Sequence, residues 1–482
     1  MSQTTAMSVL SGTDARSVRG VDVRIEGVAY RADEVSIGDM FVCVRGFAHD
    51  GHDFASEALS LGAVALVVER ELPLDVPQFV VADSRRALAM ASSAVHGHPS
   101  HDIRVVGVTG TNGKTTTTYL IDSVLREASV CAGVVGTVET RIADRQLPAV
   151  RTTPESADLQ GLFARMRDAG VSVCSMEVSS HAIDLRRLDG TRFAVAAFTN
   201  LTQDHLDFHH TIEEYFAVKK RLFTDFDVGA RVVNIDDPFG RGIASEIPGC
   251  ITVGRATGAA VRAEDEVLTA EASEFTLVTV DGFRRVRMPI PGAYNVSNAL
   301  VAAGCAMALG IGLDDIVAGL ESAPQVPGRL ERVDCGQPFA VVVDYAHTPD
   351  SLAKAIDAMK TVTSGRVIVV FGCGGDRDSD KRSVMGSAAG NAADFSIITS
   401  DNPRSEDPVG IILQIEDGMR PTGGHYEVVI DRHKAIERAI LLANPRDTVL
   451  IAGKGHEDYQ IFADRTVHFD DREVAREVLG RC

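Results

Sequence analysis

The sequence is poor in cationic charge, paired cysteines and long apolar runs, and each shortage excludes something. Lysine and arginine together number 48 against 67 aspartates and glutamates, for a formal charge of −19. A surface of that sign repels nucleic acid and anionic lipid, so neither is expected as a main partner. It leaves room for phosphate binding at one site, which needs only local N–H groups and a few cations. The eight cysteines (Cys43, Cys131, Cys174, Cys250, Cys305, Cys335, Cys373, Cys482) include no C-x-x-C pair and read as buried thiols in a reducing compartment. No apolar run approaches the about 18 residues of a membrane span. Residues 1–13 are polar and lack the apolar core of a secretory signal. A cytoplasmic protein with no membrane span is expected. Short-period repeats and low-complexity segments are missing too.

What is present centres on residues 103–120. A short β-branched run, Arg104–Val108, stops at Thr109-Gly110-Thr111-Asn112-Gly113-Lys114-Thr115-Thr116, and a helix-compatible segment follows with Leu120, Ile121, Val124 and Leu125 on one stripe. Strand, glycine-rich turn and helix form the context in which Gly-Lys-Thr binds phosphate. Gly110 and Gly113 let backbone N–H groups turn inward, and the helix N-terminus adds partial positive charge. Lys114 would reach the β- and γ-phosphates, and Thr115 would help hold magnesium. The loop departs from the common P-loop, because Val108 stands where a glycine is usual and the loop is two residues shorter. The bland reading is an ordinary βα turn; the flanking strand and helix favour a nucleotide-phosphate site.

At 482 residues, about three domains are expected. Residues 1–99 read as a smaller α/β unit, with strands at Met40–Val44, Ala63–Val68 and Phe79–Val81 and a helix over Asp53–Leu61. His96, His98 and His101 flank Pro99 and read as linker histidines. Residues 100–328 form the central domain, a parallel sheet with further strands at Val171–Met176, Phe193–Phe198 and Arg231–Ile235. Polar clusters, Glu177–His181 and Thr199–His205, follow the first two. Ligands bind outside the carboxyl ends of strands in open parallel sheets, so the clusters are expected to converge on the phosphate loop. A helix beginning within Pro289–Leu300 has Asn295 or Ser297 as candidate cap. Residues 329–482 repeat the design in a Rossmann-like way. Strands at Ala340–Val343, Val367–Phe371, Phe395–Thr399 and Val449–Ala452 each run into a charged loop. Four such ends on one edge suit a second ligand-binding face. Glu177 and His205 near the phosphate loop suit a magnesium site. Lys219, in a run of three cations beside Phe216, Leu222 and Phe223, reads from chemistry alone as part of a solvated face.

Thr109–Thr116, Glu177–His181, Asn200–Asp207, Tyr294–Asn298, Asp344–Asp350, Gly372–Asp378, Asp401–Arg404 and Ala452–Gln460, in that order, resemble the motif series of the Mur ligase family. The likeness runs from about residue 30 to the C-terminus. It implies an α/β protein of three domains: a UDP-substrate-binding N-terminal domain, a central ATP-binding domain and a C-terminal amino-acid-binding domain. The implied activity is ATP- and magnesium-dependent addition of meso-diaminopimelate to UDP-N-acetylmuramoyl-L-alanyl-D-glutamate (UDP-MurNAc-L-Ala-D-Glu) through an acyl phosphate. That is a step of cytoplasmic peptidoglycan precursor synthesis. The resemblance gives catalytic roles to Lys114, Lys219, His205 and Glu177. Glu177 and His205 join Thr115 on magnesium, and Lys219 becomes a carbamylated lysine supporting a second ion. It puts Gly110, Thr111, Asn112, Gly113, Lys114, Thr115, Thr116, Asn298, Arg329, Asp344 and His347 around ATP. Thr152, Thr153, Ser179 and Arg187 hold the UDP-linked dipeptide. Arg377, Asp401, Asn402, Pro403, Arg404, Gly453 and Glu457 surround the amino acid. Where many members carry Asp-Ser-Arg in the uridine loop, this chain has Arg31-Ala32-Asp33. The uridine contacts are therefore placed on Ala32 and on the loop Phe47, Ala48 and His49. Arg404, a planar fork that fits a carboxylate, favours diaminopimelate over lysine. The alternatives are the same ligase taking L-lysine or another diamino acid, a ligase like folylpolyglutamate synthetase, or a regulatory P-loop protein without ligase chemistry. A monomer acting on small molecules is expected.

Overall fold

The computed structural model describes residues 4–149, 151–269 and 271–481, and leaves the side chain of Asp207 undescribed. Three sheets organise the chain, as α/β reading requires. The first has five strands in the order Arg16–Arg19, Gln78–Val80, Ala65–Val68, Asp39–Val42 and Gly27–Ala29, antiparallel only at the first pair. The expected helix after Asp53 is Ala55–Leu61, entered through a 3-10 turn, Gly51–Phe54, that His52 anchors by accepting from the Glu69 N–H at 2.9 Å.

The central sheet has eleven strands. Its middle is parallel: Arg104–Thr109 lies between Val173–Glu177 and Phe193–Phe198, with Glu177 level with Val108 and Phe198 level with Thr109. These strands are apolar throughout because helices cover both faces. Lys114–Glu127 packs Leu120, Ile121, Val124 and Leu125 against Ala293–Ala308 on one face, while Phe163, Met176, Phe193 and Phe223 fill the other. Patterning did not disclose the antiparallel extension Val261–Leu268, Ser273–Thr279 and Gly282–Met288, whose tip is polar on both sides.

The expected cap at Asn295 or Ser297 is corrected. The helix starts at Ala293, with Gly292 as its cap residue, which puts both positions inside it. Asn295 turns back instead, donating to the Pro291 carbonyl at 2.7 Å and accepting from Asn298 at 3.0 Å.

In the third sheet, Ala340–Asp344, Thr448–Ala452, Val367–Phe371 and Phe395–Ile398 are parallel neighbours in that order. Their carboxyl ends therefore share one edge, although the last strand in sequence is inserted between the first two. Of the cysteines, Cys43, Cys174, Cys305 and Cys373 are buried, and burial pushes the Cys43 and Cys373 thiols up to about 12. Cys131 and Cys335 are exposed, against expectation, because both sit in connections outside the strands; Cys482 lies outside the described residues.

Candidate active site

Gly113, at φ 86°, is the hinge between loop and helix, and a Cβ there would stand 2.2 Å from Asn298 Oδ1. The loop therefore rests directly on Asn298, one of the expected nucleotide residues. Lys114 folds back over the loop, its Nζ donating to the carbonyls of Gly110 at 2.9 Å and Thr111 at 2.8 Å. Burial holds the Lys114 ammonium below its ordinary pKa, with Glu177 and Asp204 pulling the other way. The Thr115 hydroxyl donates to Glu177 Oε1 at 3.0 Å, and Glu177 also accepts from the Thr137 N–H at 2.8 Å and the Thr137 hydroxyl at 3.1 Å. Asn112 and Thr111 are tied to the next strand end through Asn200 and Thr202.

Lys219 overturns the reading of a solvated face. It is 1% exposed, its Nζ donates to the Gly110 carbonyl at 2.9 Å, and it lies 4.6 Å from the Tyr215 ring centroid. On the helix Ile212–Thr224, positions 215, 219, 222 and 223 form one stripe, and all four are buried. The signal was in the spacing: Lys219 is four residues after Tyr215 and three before Leu222. Burial and the charge of Lys114 push its ammonium well below the usual lysine range.

His205 follows the next strand end, beyond Phe193–Phe198. It is partly exposed, sits 3.5 Å from Asp204 Oδ2, and meets the His181 ring at a centroid distance of 4.9 Å. Among the described residues no three of His, Cys, Asp and Glu stand close enough to hold a metal. The Thr115–Glu177 pair is a set of hard oxygen donors beside a phosphate loop. Magnesium is commonly held by one or two carboxylates with substrate phosphates supplying the rest, so this donor set fits it.

The expected contacts to the UDP-linked dipeptide fall into two groups. Ala32, Phe47, His49 and Arg187 line one cavity of about 570 Å³, together with Tyr30, Arg85, Arg151 and Glu155. Ala48 is exposed and outside that lining. Thr152, Thr153 and Ser179 lie deeper. Thr153 donates to the Glu177 carbonyl at 2.8 Å and accepts from the Ser179 N–H at 3.1 Å, while Thr152 meets Thr137 at 3.0 Å. Arg187 bridges the groups, donating to the Thr153 carbonyl at 3.1 Å. In the cavity wall Glu155 alone faces three guanidinium groups, Arg187 at 2.9 Å, Arg151 at 3.1 Å and Arg85 at 3.4 Å. Arg31, in the departing stretch, is spent on Asp33 and Glu34.

On the third sheet's edge, Asp401, Asn402, Gly453 and Glu457 meet around Lys454. Gly453 is at φ 117°, and a Cβ there would lie 2.7 Å from Asp401 Oδ2. Asn402 donates to Glu457 at 3.0 Å, and its own oxygen accepts from Lys454 at 3.0 Å and the Ile461 N–H at 3.0 Å. Burial opposes the charge on Asp401, but Lys454 and Arg432 hold its carboxyl below the usual range. Pro403 is buried, and Arg404, at φ 52°, donates to the Gly375 carbonyl at 2.7 Å. Arg377 is exposed on the facing loop. Asp344 is taken up by the N–H groups of Leu330 at 2.7 Å and Ala346 at 2.8 Å, and His347 Nδ1 by the Tyr345 carbonyl at 2.8 Å.

The two clusters are joined. Arg329 donates to Thr115 Oγ1 at 3.3 Å and stacks 4.5 Å from the Tyr345 centroid, and Tyr345 donates to Glu457 at 3.5 Å. Asp350, beyond the same strand, accepts from Thr202 at 3.0 Å and Asn112 at 3.4 Å.

Family models match almost end to end: Mur ligase family, catalytic domain, over residues 24–107; Mur ligase middle domain over 108–306; and Mur ligase, glutamate ligase domain, over 328–455. The chain belongs to the Mur ligase family. The UDP-N-acetylmuramoyl-L-alanyl-D-glutamate–2,6-diaminopimelate ligase of Alkaliphilus metalliredigens is 45% identical over 479 residues, covering 98% of this chain and 97% of that protein. The protein of that name from Geobacillus thermodenitrificans is 46% identical over 474 residues, covering 96% of each. A solved structure of a ligase with the same name superposes with a TM-score of 0.71 at 30% identity, covering 99% of both chains. These likenesses set aside the regulatory P-loop alternative. In this Mur ligase, sequence reasoning missed Lys454, Tyr345, Arg85, Arg151 and Glu155. Lys454 and Tyr345 were hidden inside the motif runs Ala452–Gln460 and Asp344–Asp350; the others carry no local spacing signal.

Proposed function

We propose that the chain is an ATP-dependent ligase that joins meso-diaminopimelate to the D-glutamate γ-carboxylate of UDP-MurNAc-L-Ala-D-Glu, for peptidoglycan synthesis in the cytoplasm. The observation that carries this is the contact path Thr115–Arg329–Tyr345–Glu457, which brings a phosphate site and an amino-acid site into one cleft. A ligase of this kind needs both within reach of one carboxylate. The substrate's UDP end suits the cavity lined by Arg85, Arg151 and Arg187, whose three cations exceed the carboxylates of Glu155 and Glu57 and leave positive charge for a diphosphate, and Phe47 and Tyr30 offer ring faces.

The γ-carboxylate is activated by phosphoryl transfer from ATP, and the diaminopimelate amine displaces phosphate to form the amide. The loop N–H groups and Lys114 stabilise the negative charge of the transferring group, for which Lys114 must exchange its two loop carbonyls for phosphate oxygens. Magnesium, held by Thr115 and Glu177 when bound, would neutralise phosphate charge. Closure of the third domain over the second keeps water from the acyl phosphate, and Asp350 already spans that gap. Lys219 fits a carbamylated residue: the neutral amine is the form that adds carbon dioxide, and burial beside Lys114 favours it. At the amino-acid end, Arg404 receives the distal carboxylate, and Asp401 and Glu457 receive the distal ammonium. A monomer suffices for this chemistry. Phosphate release measured with the UDP-linked dipeptide and ATP should depend on diaminopimelate. Release that is independent of any amino acid contradicts the proposal.

A further inference from the structure

We propose that Lys454 is a specificity-determining residue, whose buried ammonium cancels one of the two carboxylate charges of Asp401 and Glu457. The proposal rests on the diamino-acid reading given above. Lys454 is 0% exposed, and its Nζ lies 3.7 Å from Asp401, 3.6 Å from Glu457 and 3.0 Å from Asn402 Oδ1. A wholly buried ammonium is retained only where carboxylates and acceptors surround it. Here it has both, so its charge belongs to the site rather than to solvent.

The nearby Arg432 helps keep Asp401 ionised but adds no net charge, because Asp471 neutralises it. Its guanidinium is paired with Asp471 at 2.7 Å, with both side chains wholly buried, and the same Nη2 also donates to the Ala452 carbonyl at 3.0 Å. Asp401 and Glu457 against Lys454 therefore leave one negative charge. Arg404, on the adjoining loop, adds one positive charge. One of each sign matches an end that carries an ammonium and a carboxylate together. A bare ammonium meets the same negative charge but also an unanswered arginine.

Removing Lys454 doubles the uncompensated negative charge and favours the bare ammonium. Removing the Asp401 charge does the reverse. The two substitutions should therefore move selectivity in opposite directions, which a purely structural role for Lys454 does not require. The test is the ratio of specificity constants for meso-diaminopimelate and L-lysine, in the full chain with saturating ATP and UDP-linked dipeptide. K454M should lower the ratio by about tenfold or more, the scale of one buried charge contact, chiefly through the amino-acid KM and with the ATP KM within about twofold. D401N should raise the ratio, and the double variant D401N/K454M should return it towards the unmodified value. K454R, which keeps the charge, should hold most of it. Should K454M not fold, the rise in D401N still decides. An unchanged ratio in both single variants, or a shift in the same direction, overturns the proposal. If the unmodified protein uses neither amino acid, the diamino-acid reading itself fails.

Discussion

The phosphate loop and the third sheet's edge solve one problem in different ways. Both gather charge at the carboxyl ends of parallel strands. At the loop the cation is turned inward onto neutral carbonyls, Lys114 on Gly110 and Thr111. On the third sheet the cation is closed against carboxylates, Lys454 with Asp401 and Glu457. A carbonyl is a weak partner for an ammonium and is readily exchanged for a phosphate; a pair of carboxylates is not. The first region is therefore built to release its cation to a ligand, and the second to keep its cation and present what charge is left over.

The substitution that should break this contrast most sharply is K114A. Loss of the cation should cut amino-acid-dependent phosphate release by about 10³-fold, as removal of one transition-state donor does. Circular dichroism should show the fold retained, because the carbonyls that Lys114 covers can take water. K219A should follow at about 10²-fold. A short carboxylate in solution should partly restore it, and ¹³C-labelled carbon dioxide should give a carbamate signal in the unmodified protein that K219A lacks. On the other edge, R404A should cost about 2–5 kcal/mol in the specificity constant for diaminopimelate and leave the ATP KM nearly unchanged. Isothermal titration with ATP separates the two edges.

The smallest effect concerns the joint between them. Burial, with Arg329 and Arg472 beside it, lowers the His456 pKa to about 3. The unfolded chain takes up that proton near pH 6.5, so stability is present above that value and is lost as pH falls towards 3. Between pH 7.5 and 5.5 the unmodified protein should lose about 1 kcal/mol more stability than H456Q. Urea unfolding at the two pH values measures it.

The same two regions show what a sequence discloses. The loop was legible because its chemistry lies within eight consecutive residues and the strand and helix around it follow simple periods. Glu177 followed from the rule that strand ends converge, and the register with Val108 agrees. The third sheet's edge was legible only as four charged loops, because strand insertion, which decides which loops touch, is not written in any one of them. Lys454 passed unnoticed inside a run whose glycines and glutamate drew attention, and only the fold shows that it is buried. Lys219 was read as solvated because two neighbouring cations masked its place on the apolar stripe.

The central claim is that one cleft joins a phosphate site to a site for an amino acid with a charged pair at its far end. Specificity constants for meso-diaminopimelate, L-lysine and L-ornithine, measured with ATP and the UDP-linked dipeptide, test it most directly. The account predicts diaminopimelate ahead by at least about 30-fold, the low end of the Arg404 contact. Equal or better use of lysine by the unmodified protein would contradict it.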